Sequence, residues 1–565
     1  MQKGYWETDN NKRRSSWFTN REGIPGYIRA SLIKAMGYQE DNLDKPIIGI
    51  INSWSELNPG HYHLREVGEA VKRGVWQSGG FPLELNVSSV CEPFLDKSSL
   101  IYRNLMAMET EEMMKTHPFD GLVILTTCDK NVPAYLMAAA SLDIPTIFVM
   151  GGSMPPGKFK GERVTSATAY YKYFAEYEAG NISLEELDEL KDVICPGIGA
   201  CGMMGTANTM QCMGEALGMT LPRCGTIPAA SGAKYEIAEK TGRKIMELVA
   251  ADITPSQIMT EKAFENAIRI LMAIGGSTNA VIHVTAVARR CGINLDLNKF
   301  DQISRTTPFI CNIQPSGIFG VTELDQAGGV PAVMKELEDI LHTDLLTVTN
   351  NSLKKNLDGV KIKDREIIKS KDNPISDTGA LAVIKGNLCP NGAIIKTSAA
   401  SPELMKHKGP AFVIESIEEG HEKLWDKDAE ITKDHIIVFR NQGPIGGPGM
   451  PEYGNIDLPE KLLKEGVRDM VRITDSRMSG SAYGTVILHM DPESAVGGPL
   501  AIVEDGDMIE FDFEARSLNL LISDEEMKQR IKEVEKIVPE VDRGYMKLYY
   551  QHIMQASAGC DFDFL

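Results

Sequence analysis

The first third of the chain alternates continuous apolar runs with helical patterns. Residues 46–52 (PIIGIIN), 121–127 (GLVILTT) and 144–150 (IPTIFVM) are predicted to be buried strands, and helical patterns occupy 64–77 and 134–142. Continuous apolar strands between helices are typical of a parallel sheet that is covered on both faces. Ligands of such sheets collect at the carboxyl ends of the strands, so polar residues directly after these runs are candidates for function.

The pattern changes in the second half of the chain. Helices are predicted to dominate 183–338, and the polar, lysine-rich stretch 341–377 is interpreted as a linker. We therefore expect an N-terminal α/β domain at 1–377 and a mostly β, barrel-like domain at 378–565. The second domain is predicted from short β-like runs separated by turns rich in glycine and proline, at 393–397, 411–414, 435–439, 469–473, 484–489, 500–503 and 508–513.

Composition narrows the class of protein. A chain of 565 residues, with 43% hydrophobic and 24% charged residues, is expected to form two or more packed domains. The formal net charge of −19 disfavours a general surface for nucleic acid or for an anionic membrane. No apolar run reaches the roughly 20 residues that a membrane span needs, and the start lacks the apolar region of a secretory signal. We therefore expect a cytoplasmic protein whose ten cysteines form no disulfide framework.

The tripeptide Cys128-Asp129-Lys130 stands at the predicted end of a buried strand. It sets a soft thiolate ligand beside a hard carboxylate ligand, a pair that suits iron–sulfur and magnesium respectively. A buried cysteine followed by a solvated ion pair gives the same three letters. The tripeptide alone leaves both interpretations open.

The segment 195–210 (CPGIGACGMMGTANTM) surrounds Cys201 with glycine, and a helix is predicted to begin near Thr206. Small residues let an inorganic cluster approach the backbone, and a thiolate is favoured near a helix N-terminus. A tight turn with two packed cysteines before a helix remains the alternative at this point.

Two glycine-rich loops mark the second domain. Residues 441–452 (NQGPIGGPGMPE) form a rigid loop that can project the carboxylate of Glu452 into a site. Prolines interrupt this loop and no strand–GxGxxG–helix context surrounds it, so it is not a dinucleotide fingerprint. Residues 474–481 (TDSRMSGS) follow a predicted strand but show no GxSxG elbow, and by spacing alone they form an ordinary turn.

Together these segments resemble the family of dihydroxy-acid and sugar-acid dehydratases, which includes the phosphogluconate dehydratases. The resemblance spans nearly the whole chain in order. It is carried by 48–52 (IGIIN), 128–130 (CDK), 151–153 (GGS), the Cys201 loop, 275–279 (GGSTN), 325–329 (DQAGG), 446–452 (GGPGMPE), 475–485 (DSRMSGSAYGT) and 497–507.

Within that family the chain leans toward the sugar-acid branch. The segments 14–18 (RSSWF), 477–484 (RMSGSAYG) and 559–565 (GCDFDFL) resemble aldonate dehydratases. The resemblance implies conversion of an aldonate such as arabinonate, xylonate or gluconate to its 2-keto-3-deoxy acid, by a homodimer or homotetramer. The dihydroxy-acid dehydratases of branched-chain amino-acid synthesis are the first alternative, and an iron–sulfur redox or sensor protein is an alternative of another class.

The resemblance also implies roles for individual residues. It assigns Cys128 and Cys201 to an iron–sulfur cluster, and Ser479 to the catalytic base that removes the C2 proton. It assigns Mg²⁺ to Glu92, Asp129, Glu452 and a carbamylated Lys130. Oxygen ligands suit Mg²⁺, and burial of Lys130 would favour the neutral amine that takes up CO₂.

One position departs from part of the family. Members with a [2Fe–2S] cluster carry a cysteine in the loop after the first strand, where this chain has Gly60. Members described with a [4Fe–4S] cluster also lack that cysteine, so the resemblance favours [4Fe–4S]. The third ligand is then expected to be Cys91, which precedes Glu92 as Cys128 precedes Asp129. Cys195 is the second candidate, and His61 or His63 could supply a nitrogen.

Overall fold

The computed structural model describes residues 13–178, 180–426, 428–454 and 456–565. Residues 1–12, on which the expectation of no secretory signal rests, lie outside the described residues. Within the described ranges, no helix is both long and apolar enough to cross a bilayer.

The strands are β1 Ile47–Asn52, β2 Phe81–Asn86, β3 Gly121–Thr126, β4 Thr146–Met150, β5 Gly157–Phe159, β6 Glu162–Val164, β7 Ala382–Gly386, β8 Cys389–Ile395, β9 Lys406–Ile414, β10 Ile436–Phe439, β11 Arg472–Thr474, β12 Val486–Asp491, β13 Met508–Asp512 and β14 Ser517–Leu520. The α-helices are α1 Ser16–Thr19, α2 Gly23–Ala35, α3 Leu64–Gln77, α4 Leu100–Thr116, α5 Asn131–Leu142, α6 Ser166–Glu178, α7 Leu184–Ile194, α8 Thr206–Ala216, α9 Gly232–Ala251, α10 Pro255–Ile258, α11 Glu261–Ala273, α12 Asn279–Arg290, α13 Leu297–Arg305, α14 Val321–Ala327, α15 Gly329–Glu336, α16 Leu353–Asn356, α17 Ile417–Trp425, α18 Glu460–Lys464, α19 Asp524–Glu533 and α20 Gly544–His552.

The N-terminal core is a parallel sheet in the order β2-β1-β3-β4. Strands β1, β3 and β4 are buried at every residue, as expected for strands that helices cover. Helices α3, α5 and α9 pack against the sheet. The parallel sheet and the three strands predicted from the apolar runs are confirmed, and the helix predicted at 64–77 is α3.

The strand β2 is absent from the sequence prediction. It runs parallel to β1, with Asn52 opposite Asn86 in the register, so the segment after Asn86 begins at the same edge of the sheet as the segments after β1 and β3. That segment reaches Cys91 and Glu92 within six residues. The carboxyl ends of three neighbouring strands therefore lead into one region.

The expected linker at 341–377 is wrong. Val348, Ile367 and Ile368 are buried in the N-terminal core, and backbone bridges tie Cys311 to Ile368 and Phe309 to Ser376. The polar residues that suggested a linker occupy the exposed positions of a packed segment, whose buried apolar residues include Leu353 and Leu357.

The C-terminal region forms a closed eight-stranded barrel in the order β10-β11-β12-β8-β7-β14-β13-β9, with β9 paired to β10. Its interior holds side chains such as Ile395, Val438, Ile487 and Phe511. The barrel expected from the sequence is confirmed. The strand expected at 500–503 is wrong, because Pro499–Ile502 is a 3-10 helix. This helix follows a turn with Gly497 at φ 89°. It begins with a proline, which has no N–H to donate to a neighbouring strand.

Lys396, directly after β8, is a buried group of the barrel that lowers its stability. Its side chain is completely buried, and its Nζ has no hydrogen-bond partner among the described residues. Burial lowers the pKa of this amine from 10.5 to about 8. The unfolded chain therefore binds the proton more tightly than the folded chain, so stability rises as the pH rises from about 8 through 10.5.

Replacing Lys396 by methionine is expected to stabilise the protein. The gain is about 3 kcal/mol at pH 7 and shrinks as the pH rises toward 10.5, and chemical denaturation at several pH values measures it. Lys408→Met, at an exposed position of β9, is the control and should show no gain. A Lys396→Met protein that is no more stable than the original at pH 7 would contradict the reasoning.

Candidate active site

Three acidic residues from distant parts of the chain converge where the sheet edge meets the barrel. Glu92, Asp129 and Glu452 each offer an oxygen, and these oxygens lie within 4.8 Å of one another. Their side chains are 17% to 26% exposed, so an ion can reach them. A set of carboxylate oxygens at this spacing fits a hard divalent cation such as Mg²⁺.

Lys130 lies at the centre of these acids and is completely buried. Its Nζ is 2.8 Å from Glu92 Oε2, 2.5 Å from Asp129 Oδ2 and 3.2 Å from Glu452 Oε1. Burial and Arg477 lower the pKa of Lys130, but the three carboxylates outweigh them and raise it above its ordinary value. The expectation that burial would favour the neutral amine of Lys130 is therefore wrong, because the neighbouring carboxylates favour its charged form.

Each acid is held by its own element. Glu92 begins a 3-10 helix. The backbone N–H of Ser99 donates to Glu92 Oε1 at 3.2 Å, and the hydroxyl of Ser99 donates to Glu92 Oε2. Lys130 and Arg477 hold the pKa of Glu92 at about 2 against the effect of burial. Asp129 Oδ1 accepts the backbone N–H of Lys130 at 3.1 Å, which fixes its carboxylate at the start of α5.

Glu452 reaches the site from the glycine-rich loop of the barrel domain. Its Oε1 accepts hydrogen bonds from Asn279 Nδ2 at 2.7 Å and Arg477 Nη1 at 2.8 Å. Gly449 of this loop lies so close to α4 that a Cβ there would be 2.9 Å from the Ser98 hydroxyl. The loop therefore projects Glu452 toward Glu92 and Asp129, as its sequence suggested that it could.

Cysteine thiols lie beside the acids. Burial, Asp129 and Cys201 raise the pKa of Cys91 to about 12. Burial, Asp129, Cys91 and Cys201 raise the pKa of Cys128 well above its usual range. These thiols are therefore neutral until a metal replaces the proton. Three soft ligands grouped in this way could hold an iron–sulfur cluster.

The candidates for a third sulfur or nitrogen ligand differ in position. Besides burial, Cys91 raises the pKa of Cys128, and Cys201 raises that of Cys91. Besides burial, Cys201 is the thiol that raises the pKa of Cys195. His61 is already used on both sides of its ring. Its Nδ1 contacts Ser53 O at 2.7 Å, and its Nε2 accepts the backbone N–H of Cys128 at 3.0 Å.

His63 uses one ring nitrogen, with Nε2 at 2.9 Å from Gly151 O, whereas its Nδ1 is buried and has no hydrogen-bond partner among the described residues. Burial lowers the pKa of His61 to about 3 and that of His63 to about 4. Both rings are therefore neutral at physiological pH. His61 shapes the backbone that presents Cys128 rather than offering a free nitrogen beside it.

Gly60 leaves space for the sulfur of Cys128. A Cβ at position 60 would stand 2.5 Å from Cys128 Sγ and 3.2 Å from Asn58 Oδ1. Asn58 Oδ1 also accepts the Cys128 thiol at 3.1 Å. Any side chain at position 60 would therefore push this sulfur from its place.

The loop 474–481 of the barrel domain, which carries Ser479, contacts the segment that carries Cys201. Ser479 is partly exposed, and its Oγ lies 2.8 Å from Ser481 Oγ. A Cβ on Gly480 would be 2.8 Å from Thr206 N, so the loop rests on the start of α8, the helix predicted after the Cys201 loop. The fold thus brings Ser479 against the segment that carries Cys201.

Sequence reasoning missed several residues of this site. Arg477 and Asn279 stand inside quoted motifs but received no role, and Ser98 and Ser99 belong to none. The sequence gives no local sign of these contacts, because Ser98 and Arg477, which meet in the fold, are 379 residues apart in the chain.

Two family models match the chain, both of the dihydroxy-acid/6-phosphogluconate dehydratases. The N-terminal model matches residues 45–356 and the C-terminal model matches residues 366–560. The chain belongs to this family. It is therefore a dehydratase, a hydro-lyase, as the sequence motifs indicated.

Named relatives of the dehydratase fall into two substrate groups. The L-arabinonate dehydratase of Rhizobium leguminosarum is 46% identical, with 98% of this chain and 96% of that protein covered. The 6-deoxy-6-sulfo-D-gluconate dehydratase of Pseudomonas putida is 43% identical over the same shares of the two chains. The dihydroxy-acid dehydratase of Caldicellulosiruptor saccharolyticus is also 43% identical, covering 95% of this chain and 98% of that protein.

Proposed function

We propose that this dehydratase converts a sugar acid, an aldonate such as arabinonate, xylonate or gluconate, to its 2-keto-3-deoxy acid. The observation that carries the proposal is the convergence of Glu92, Asp129 and Glu452 beside the thiols of Cys91, Cys128 and Cys201. A purely redox or sensing protein would have no use for the three acids.

Removal of water from such an acid has two difficulties that the site addresses. The proton on C2 is weakly acidic, and hydroxide is a poor leaving group from C3. Mg²⁺ held by Glu92, Asp129 and Glu452 would stabilise the charge that develops on the substrate carboxylate as the C2 proton leaves. An iron–sulfur cluster held by Cys128, Cys201 and Cys91 would supply a Lewis acid for the C3 hydroxyl.

The cluster proposed is [4Fe–4S] rather than [2Fe–2S]. Gly60 cannot ligate, and Cys91 is favoured as the third ligand because its charge acts on Cys128 and it is itself affected by Cys201. Three protein thiols would leave one iron of such a cluster without a protein ligand, which the proposed Lewis-acid role would require.

Ser479 is proposed as the base that takes the C2 proton. A free serine hydroxyl holds its proton far too tightly for this task, so the role depends on a cation nearby. Gly480, the residue after Ser479, contacts the start of α8, and the partial positive charge of that helix N-terminus would favour loss of the serine proton.

Lys130 is proposed to act as a carbamate. As an ammonium, it neutralises the acids that would otherwise hold Mg²⁺. As a carbamate, it would contribute a further anionic oxygen instead of a competing positive charge. We therefore expect uptake of CO₂ and uptake of the metal to favour each other.

The sugar-acid substrate is favoured by the segments 14–18, 477–484 and 559–565. The L-arabinonate dehydratase described above is 46% identical to this chain, against 43% for the dihydroxy-acid dehydratase. A dihydroxy-acid substrate of branched-chain synthesis, 2,3-dihydroxy-3-methylbutanoate, is the alternative, and it would use the same residues. The two differ in the groups on C3, which carries a hydrogen and a polyhydroxylated chain in an aldonate but two methyl groups in the dihydroxy acid.

One assay series tests the proposal. Protein purified without oxygen and loaded with iron, sulfide and Mg²⁺ is given arabinonate, xylonate, gluconate and 2,3-dihydroxy-3-methylbutanoate, and release of 2-keto acid is measured. We expect at least one aldonate to be turned over with a higher kcat/KM than the dihydroxy acid. Preference for the dihydroxy acid would reject the substrate assignment, and no dehydration by the loaded protein would reject the function.

A further inference from the structure

Arg477 contacts a proposed metal ligand, but the proposed reaction gives it no role. Its guanidinium is completely buried at the boundary between barrel and sheet. It donates from Nη1 to Glu452 Oε1 at 2.8 Å and from Nε to Met450 O at 2.8 Å. Its Nη2 donates to Ser98 Oγ at 3.1 Å and to Gly449 O at 3.3 Å.

These contacts join two acids that belong to different parts of the fold. Arg477 holds Glu452 and the loop before it, whereas Ser98 belongs to the segment before α4. The next residue, Ser99, donates to both oxygens of Glu92. Ser98 also donates to Gly449 O at 2.7 Å. One arginine and two adjacent serines therefore connect Glu452 to Glu92.

The charge of Arg477 gives it a second effect on the acids. Arg477 and Lys130 are the two cations that contact Glu452 in the described residues. If Lys130 becomes a carbamate, Arg477 alone of these two still balances the acids, and a guanidinium cannot be deprotonated in a protein.

We propose that Arg477 is the positioning residue that sets Glu452 for metal binding and couples it to Glu92 across the domain boundary. The inference rests on the proposed magnesium site. Arginine is required because its planar fork bonds the carboxylate, the loop carbonyls and Ser98 at once, which the single ammonium of lysine cannot do.

Arg477→Lys tests the inference while keeping the charge. Binding of Mn²⁺, as a spectroscopic substitute for Mg²⁺, is measured by electron paramagnetic resonance on anaerobically purified protein, together with kcat/KM. We expect Mn²⁺ affinity to fall about 10- to 100-fold, the usual range when a residue that orients a metal ligand is removed, and kcat/KM to fall with it.

Arg290→Lys is the matched control. Arg290 is similarly buried and paired, with Asp561 and Glu111, but it contacts none of the proposed metal ligands, so Mn²⁺ affinity should be unchanged. Unchanged affinity in Arg477→Lys would overturn the inference. An original protein that binds no Mn²⁺ would instead overturn the proposed magnesium site.

A second variant keeps the test open if Arg477→Lys does not fold. Ser98→Ala removes the hydroxyl that links Arg477 to the segment of Glu92 and leaves the bond between Arg477 and Glu452 intact. We expect a folded protein, shown by its thermal melt, whose Mn²⁺ affinity is lowered less than in Arg477→Lys. A Ser98→Ala protein with unaltered affinity would contradict coupling between the two acids.

Discussion

Replacing Ser479 by alanine is expected to lower turnover strongly while leaving the bound metals in place. The loss in kcat should be about 10²- to 10⁴-fold, which is the contribution of a positioned general base. Ser479 is not a ligand of Mg²⁺ or of the iron–sulfur cluster in the proposed arrangement. Iron, sulfide and magnesium contents should therefore equal those of the original protein, and metal analysis beside the 2-keto acid assay checks both statements.

The neighbouring hydroxyl provides the control for this variant. Ser481 Oγ lies 2.8 Å from Ser479 Oγ and is buried, so Ser481→Ala removes a hydrogen-bonding partner but leaves the proposed base. We expect a smaller loss than in Ser479→Ala. A fully loaded Ser479→Ala protein that keeps a tenth or more of its kcat would remove Ser479 from the role of base.

Replacing Glu452 by glutamine is expected to have the second large effect. The change keeps the size of the side chain but removes an anionic oxygen that contacts Lys130 and Arg477. Loss of groups that merely orient ligands lowers metal affinity about 10- to 100-fold, and loss of a ligand should exceed that range. Turnover at ordinary Mg²⁺ concentrations should fall with the affinity, and titration calorimetry measures the affinity directly.

Glu215→Gln separates loss of a ligand from general damage to a buried glutamate. Glu215 is buried in the N-terminal domain, where it accepts the backbone N–H groups of Arg223 and Gly225. Its replacement should leave Mg²⁺ affinity unchanged even if stability falls. Equal magnesium binding by Glu452→Gln and the original protein would show that Glu452 is no ligand.

A third expectation concerns the sulfur ligands. Gly60→Ala should lower the iron retained after anaerobic reconstitution about 10-fold, since its Cβ would meet Cys128 Sγ at 2.5 Å. Gly197→Ala, in the loop of Cys201, is the matched control because a Cβ there meets nothing within 4 Å. Iron and sulfide counts decide the matter, and equal counts in both variants would mean that Cys128 holds no iron at this place.

The fold was predictable where apolar runs were long and unbroken. Strands β1, β3 and β4 are buried at every residue and were predicted because such strands show continuous apolar letters. Strand β2 was missed because its letters, FPLELN, include a proline and a glutamate, and its later residues are only partly buried. Pairing with β1 makes it a strand, and no local pattern records that pairing.

The candidate site was predictable residue by residue but not as an arrangement. The resemblance to known dehydratases pointed to Glu92, Asp129 and Glu452, and the fold places them together. Arg477 escaped because its partners, Ser98 and Glu452, are determined by how the barrel meets the sheet. His61 was weighed as a ligand because sequence letters cannot show that both of its ring nitrogens already have partners.

The central claim is that one cavity holds an iron–sulfur cluster and a divalent cation side by side. It is tested most directly by electron paramagnetic resonance of the reduced, cluster-loaded protein with Mn²⁺ in place of Mg²⁺. The account predicts a magnetic interaction between Mn²⁺ and the cluster, which disappears in Glu452→Gln because Mn²⁺ no longer binds beside it. A cluster spectrum that Mn²⁺ leaves unchanged in the original protein, although Mn²⁺ is bound, would contradict the account.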